Sequence, residues 1–318
     1  MKNQSAKWVY ITIIALILIP VSYISPWAEV ITPAYALFIG LLFAFTFPNP
    51  YPKFNKKTSK YLLQAAVVGY GFSMNLHQSI ASGKEGMTFT VVSVVGVMVF
   101  GVLIGYWLHL QRKTAYLISA GTAICGGSAI AAVGPVLKAN ENEMAVSLGV
   151  IFILNALALF IFPSIGHLAG MSETQFGTWA AIAIHDTSSV VGAGDAYGPK
   201  ALEVATLIKL TRALWIIPLA LVTMVIFRDK TAKISIPWFI FLFILAMIVN
   251  TYCDLPEAFV NAMTFWSKKG MVLTLFLIGA SLSLKSIREV GIKPLLLAIL
   301  LWILIGVSSF FVVEATIV

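Results

Sequence analysis

Long apolar runs recur from one end of this chain to the other, separated by short polar or basic connections. As a helix, a run of about 18 to 25 residues crosses a hydrocarbon core about 30 Å thick. The pattern predicts about eleven such spans: residues 8–25, 29–48, 60–80, 87–109, 115–137, 144–168, 175–194, 201–227, 236–252, 264–284 and 294–313. The expected fold class is therefore all-α, a polytopic membrane protein in which residues 1–318 form a single transmembrane domain. The first run follows Lys2 and Lys7 as a signal peptide would, but no small-x-small cleavage site comes after it, so it reads as a membrane helix.

Basic residues fix the expected orientation, because basic loops resist translocation. Lys2, Lys7, Lys53, Lys56, Lys57, Lys60, Arg112, Lys113, Arg228, Lys230, Lys233, Lys285, Arg288 and Lys293 fall on one side. The other side holds Lys84, Lys138, Lys200, Lys268 and Lys269, with acids such as Glu141, Glu143, Asp254 and Glu257. This places the N-terminus in the cytoplasm and the C-terminus outside.

Composition agrees. Hydrophobic residues are 59% of the 318 and charged ones 11%, and mean hydropathy is +0.94; a soluble core could not hide that much apolar surface. The net charge of +8 is accounted for by membrane topology, so no nucleic-acid partner is expected. Cys125 and Cys253 each stand alone, which suggests neither a disulfide framework nor a metal site.

The chain also repeats itself. Ala120–Gly134 (AGTAICGGSAIAAVG) aligns without gaps on Ala180–Gly194 (AAIAIHDTSSVVGAG), and the same offset pairs Glu143-Met-Ala with Glu203-Val-Ala. A second echo joins Gly71–Leu76 (GFSMNL) to Gly279–Leu284 (GASLSL). Repeats of this kind mark secondary transporters. Gly126-Gly127 and Gly192-x-Gly194 are expected to interrupt helices near mid-membrane, freeing backbone N–H groups and hydroxyls toward a cavity. Close helix packing at small residues is the alternative. The first pair reads as a direct repeat and the second as antiparallel, so either one segment is re-entrant or one similarity is compositional.

Few ionisable residues lie within spans, where a charge costs about 2.5 to 3.5 kcal/mol even on a lenient scale. His185-Asp186 precedes Thr187-Ser188-Ser189 in the seventh span, and Lys209 and Arg212 share a face of the eighth. Two cations against one acid leave a positive excess that an anionic substrate can neutralise, and the planar Arg212 fork suits an oxyanion. The alternative is an Asp186–Lys209 or Asp186–Arg212 bridge that ties helices together. His185 and Asp186 are candidates to carry a coupling proton. His77, His109 and His167 sit near span ends, while Asn75, Asn155 and Asn250 are buried polar candidates.

At GTAICGGSAIAAVGPVLKA and AIHDTSSVVGAGDAYG, followed by ALEVATLIKLTRALWIIPLAL, the sequence resembles the YeiH-like family of bacterial membrane proteins, often labelled sulfate exporters, over nearly its whole length. The resemblance implies a multi-pass transporter of the bacterial inner membrane, distantly similar to the cation:proton antiporter and anion transporter superfamily, with inverted repeats and crossing broken helices. Homodimers are common among such transporters.

The expectation from residues and resemblance together is a secondary transporter exporting a sulfate- or sulfite-like oxyanion by alternating access. Lys209, Arg212, Gly126, Gly127, Ser128, Thr187, Ser188 and Ser189 would bind the substrate, with no cofactor and no catalytic residue. No G-x-x-x-x-G-K-[ST] motif is present to suggest direct ATP drive. A passive anion channel would share every one of these residues. A membrane enzyme with Ser188 or Ser189 as nucleophile and His185 as base is a third reading, which lacks a G-x-S-x-G elbow.

Overall fold

A computed structural model describes residues 2–19, 32–227, 238–281 and 290–317, and within them contains fourteen helices and no strand. The helices are α1 (Lys2–Leu18), α2 (Pro33–Thr46), α3 (Pro52–Gly71), α4 (Leu76–Trp107), α5 (Arg112–Ala123), α6 (Gly127–Val136), α7 (Glu141–Leu168), α8 (Glu173–Ala183), α9 (Thr187–Tyr197), α10 (Pro199–Ala213), α11 (Ile216–Phe227), α12 (Phe239–Tyr252), α13 (Glu257–Ser281) and α14 (Ile292–Thr316). Four stretches are long and apolar enough to cross a membrane: Phe89–Trp107 within α4, α7, Pro199–Phe227 across α10 and α11, and α14. Shorter apolar helices accompany them. The all-α membrane architecture is thus the observed one.

The chain divides into two compact units, Met1–Gln78 with Trp238–Leu284, and Ser79–Pro237 with Lys285–Val318. In the first, α1, α2 and α13 share a core of Tyr10, Ile17, Ala36, Phe43, Phe276 and Ala280. Here α2 and α13 cross closely at facing glycines. A methyl on Gly40 would lie 2.9 Å from the Ala280 nitrogen, and one on Gly279 3.0 Å from the Leu41 nitrogen. In the second unit α5 is buried along nearly its whole length, as are α8 from Phe176 onward and most of α10. Helices built from Ala, Gly, Ser and Thr with scattered aliphatics have no distinct polar face and suit a fully packed position. The apolar side chains of Val92, Leu103, Val225 and Phe311 are exposed on α4, α11 and α14, a lipid-facing arrangement.

Several boundaries differ from those read off hydropathy. The third span ends early, at Gly71, and the turn falls at Phe72–Asn75. Polar side chains close that turn: Asn250 Nδ2 donates to Met74 O (3.2 Å) and Leu76 N donates to Thr251 Oγ1 (2.9 Å). The expected connection at 81–86 is helical, part of α4. Lys268 and Lys269 lie inside α13, which begins well before its apolar stretch. Gly71 closes a helix whereas Gly279 lies within one, so the second echo does not encode one shared local structure where it is described. Arg228, Lys230, Lys233, Lys285 and Arg288, the Leu282–Leu284 end of that echo, and the side chains of Lys2, Lys56 and Lys84 lie outside the described residues.

Candidate functional site

The centre of the second unit is built from two helices that break and one that carries charge. The first repeat segment folds as α5 and α6 around a break at Ile124–Gly126, and the second as α8 and α9 around Ile184–Asp186. The offset that aligns the two segments carries Ala123 onto Ala183 and Gly127 onto Thr187, so both breaks open and close at matching positions.

Their local causes differ. Gly126 has φ +61° and ψ −123°, a conformation open to glycine and costly for any residue with a Cβ. At the second break Ile184 and Asp186 are extended. There Asn155 of α7 holds the Asp186 N–H through its Oδ1 at 3.1 Å. The Asp186 carboxylate then caps α9, accepting from Ser188 N at 3.1 Å and from the Ser188 hydroxyl. The two breaks adjoin, since a Cβ on Gly126 would lie 3.4 Å from Asp186 Cα.

Gly192 and Gly194 do not interrupt a helix as expected. Both sit within α9, and Gly194 allows close approach to α10, where a methyl would meet Leu202 Cα at 2.9 Å. Packing, the alternative reading, applies there.

Lys209 and Arg212, both 0% exposed, project from α10 onto the ends of the broken helices. Lys209 Nζ donates to Ile184 O (2.6 Å) and Ala181 O (3.3 Å), at the end of α8. Arg212 Nη2 donates to Ala123 O at the end of α5, and Nη1 to Ser93 Oγ of α4 (2.9 Å). Each cation thus satisfies carbonyls that a helix C-terminus leaves without partners. Neither meets a carboxylate within 4.0 Å among the described residues, where the observed ion pair is Lys200–Glu203. The Asp186 bridge considered above is not formed.

The two cations thus face the negative ends of α8 and α5, and the Asp186 carboxylate sits at the positive end of α9. The N-terminus of α6 has no side-chain cap.

The fold therefore gathers Gly126, His185, Asp186, Thr187, Ser188, Ser189, Lys209 and Arg212 around the two breaks. Gly127 is half-buried near Leu148 and Phe152 of α7, and Ser128 is exposed, so Ser128 is not drawn into the centre. His185 is 1% exposed and its two ring nitrogens have no hydrogen-bond partner. Ser93 joins the centre although the sequence did not single it out. Its apolar surroundings, Val91-Val92-Ser93-Val94-Val95, gave no sign of a polar partner. Among the described residues no group of three His, Cys, Asp or Glu side chains is placed to hold a metal.

Fold and site together define an all-α integral membrane protein with two interrupted helices at its charged centre. Residues 8–298 match the family described as Conserved hypothetical protein 698. A UPF0324 membrane protein of Bacteroides thetaiotaomicron is 59% identical over 313 residues, 95% of this chain and 94% of that protein. One from Porphyromonas gingivalis is 56% identical over 89% of this chain and 87% of its own, and one from Photobacterium profundum 47% identical over 79% and 77%. The chain belongs to this family of UPF0324 membrane proteins. No solved structure matches it.

Proposed function

We propose that the protein is a secondary transporter that carries a small oxyanion, of the sulfate or sulfite kind, outward across the bacterial inner membrane by alternating access. One observation carries the reading: Lys209 and Arg212 are completely buried with no carboxylate partner among the described residues. Two such charges persist in a low-dielectric interior only where other groups stabilise them. The helix ends offset them in part, and a bound anion completes the compensation. The matched breaks support the same reading, because interrupted helices in a repeated pair are where transporters seat substrates and coupling ions.

In this scheme the anion docks against Lys209, Arg212 and the α8–α9 break, and Asp186 adjusts the charge it meets. The inside-negative potential favours anion efflux by about 2.3 kcal/mol per charge per 100 mV. The hydrogen bonds suit transport more than acyl chemistry, since the Ser188 hydroxyl donates to Asp186 and not to His185.

The test is flux of radiolabelled sulfate and sulfite in liposomes, under imposed pH and voltage gradients, for wild type, Lys209→Ala and Arg212→Ala. Folding of both variants is checked first. Saturable flux that can be driven uphill and disappears with Arg212 is the expected result. Flux that only runs downhill would replace carrier by channel, and no flux under any gradient would overturn the reading.

A further inference from the structure

Around the second break, uncharged polar groups are buried without partners. His185 leaves two ring nitrogens unbonded, Asn155 its Nδ2, and Trp302 of α14 its indole Nε1. They belong to one neighbourhood. The His185 and Trp302 ring centroids are 6.5 Å apart, and Asn155 bonds the backbone of the next residue, Asp186. Asn155 and Trp302 also sit near the middle of long helices, the depth at which transporters hold their cargo. Buried polar groups are ordinarily hydrogen-bonded, and leaving one unmade is costly. A cluster of such groups at one place calls for something that accepts from all of them.

Their chemistry restricts what that is. An indole offers one N–H, a neutral imidazole one N–H and one acceptor, and a carboxamide two N–H. The set is rich in donors, and it adjoins the Lys209 contact, since Lys209 donates to the carbonyl of Ile184, the residue before His185. We propose that His185, Asn155 and Trp302 form a neutral-donor seat that holds the oxygens of the desolvated oxyanion, with Lys209 and Arg212 supplying the charge and the unbonded Arg212 Nε a further donor. This inference rests on the transporter reading. It makes Trp302, which no sequence motif marks, a specificity-determining residue: a cargo bearing several acceptor oxygens would be preferred to one without them.

The molecule contains its own control. Trp179 belongs to the same aromatic cluster, with Phe162 stacked on it at 4.4 Å and lying 5.7 Å from Trp302. The Trp179 Nε1 donates to Gly306 O at 2.8 Å. Trp302→Phe and Trp179→Phe therefore make the same change in ring chemistry, but only the first removes a donor from the seat. In liposomes containing the full chain, sulfate and sulfite flux is measured against concentration. Trp302→Phe is expected to raise KM roughly tenfold with little change in maximal flux, as the loss of one hydrogen bond to a charged ligand implies. Trp179→Phe should keep the wild-type KM. If Trp302→Phe does not fold, His185→Phe is read by the same criterion. Saturable wild-type flux with unchanged KM in the tested seat variant would remove the seat and leave the transporter standing. An equal rise in both tryptophan variants would show a packing effect and also overturn it. Absence of flux in wild type would remove both readings.

Discussion

At the scale of single residues, the centre depends on groups whose alternatives are few. Gly126 turns the chain in a conformation that a Cβ opposes, and Ile151 Cγ2 would lie 3.1 Å from that atom. Gly126→Ala should destabilise the protein by about 1–3 kcal/mol, read as a lower melting temperature in detergent and reduced flux. An unchanged melting temperature would mean the break is not fixed by that conformation. Asp186 has two roles that one substitution separates. Asn caps a helix as well as Asp does, so Asp186→Asn should fold with α9 intact while removing a negative charge from the centre. Wild-type anion affinity should rise as acid protonates Asp186, since protonation adds positive charge. In the variant, affinity should be high and less dependent on pH; a pH profile identical to wild type would exclude Asp186 as the titrating group. The identities of the charged residues were legible in the sequence because charges within apolar runs are rare. Their partners were not, since Lys209 and Arg212 donate chiefly to main-chain carbonyls, and a carbonyl has no residue type to give it away.

At the scale of elements, α10 is the part everything else is measured against, because it bears both cations. Its start is fixed from outside the helix: the Glu173 carboxylate at the head of α8 accepts from Lys200 N (2.7 Å) and Ala201 N (3.2 Å). A carboxylate at that place bonds orphan N–H groups and meets the positive helix end. Glu173→Ala should cost about 0.5–2 kcal/mol in stability and lower flux, although Glu173 lies apart from the breaks. Flux retained at wild-type level alongside a lowered melting temperature would show that α10 keeps its place without this cap. The ungapped self-alignment anticipated that two segments break alike, and it located the first break at Gly126. It misplaced the second at Gly192 and Gly194. In sequence, a glycine that permits a helix to touch its neighbour is indistinguishable from one that ends a helix; only φ separates them. The actual interruption falls at Ile184–Asp186, where no glycine is present; the Asn155 side chain accepts from the Asp186 N–H there, and the Asp186 carboxylate accepts from the Ser188 N–H.

At the scale of the whole molecule, orientation in the membrane decides which helix ends and connections face each compartment. The distribution of Lys and Arg predicts a cytoplasmic N-terminus, and many of the residues behind that prediction lie outside the described ones. Two natural cysteines provide a direct reporter. Cys253 is exposed just beyond α12, and Cys125 is buried in the first break. If basic connections stay in the cytoplasm, the end of α12 faces outward. A membrane-impermeant maleimide added to intact cells should then label the wild-type chain at one thiol, and Cys253→Ser should remove the signal. Labelling that appears only after the membrane is opened, and still requires Cys253, would invert the topology. The direction of net anion flux would still follow the gradients, because the inside-negative potential favours efflux whichever way the chain is inserted; what would change is which ends of the broken helices open to each compartment.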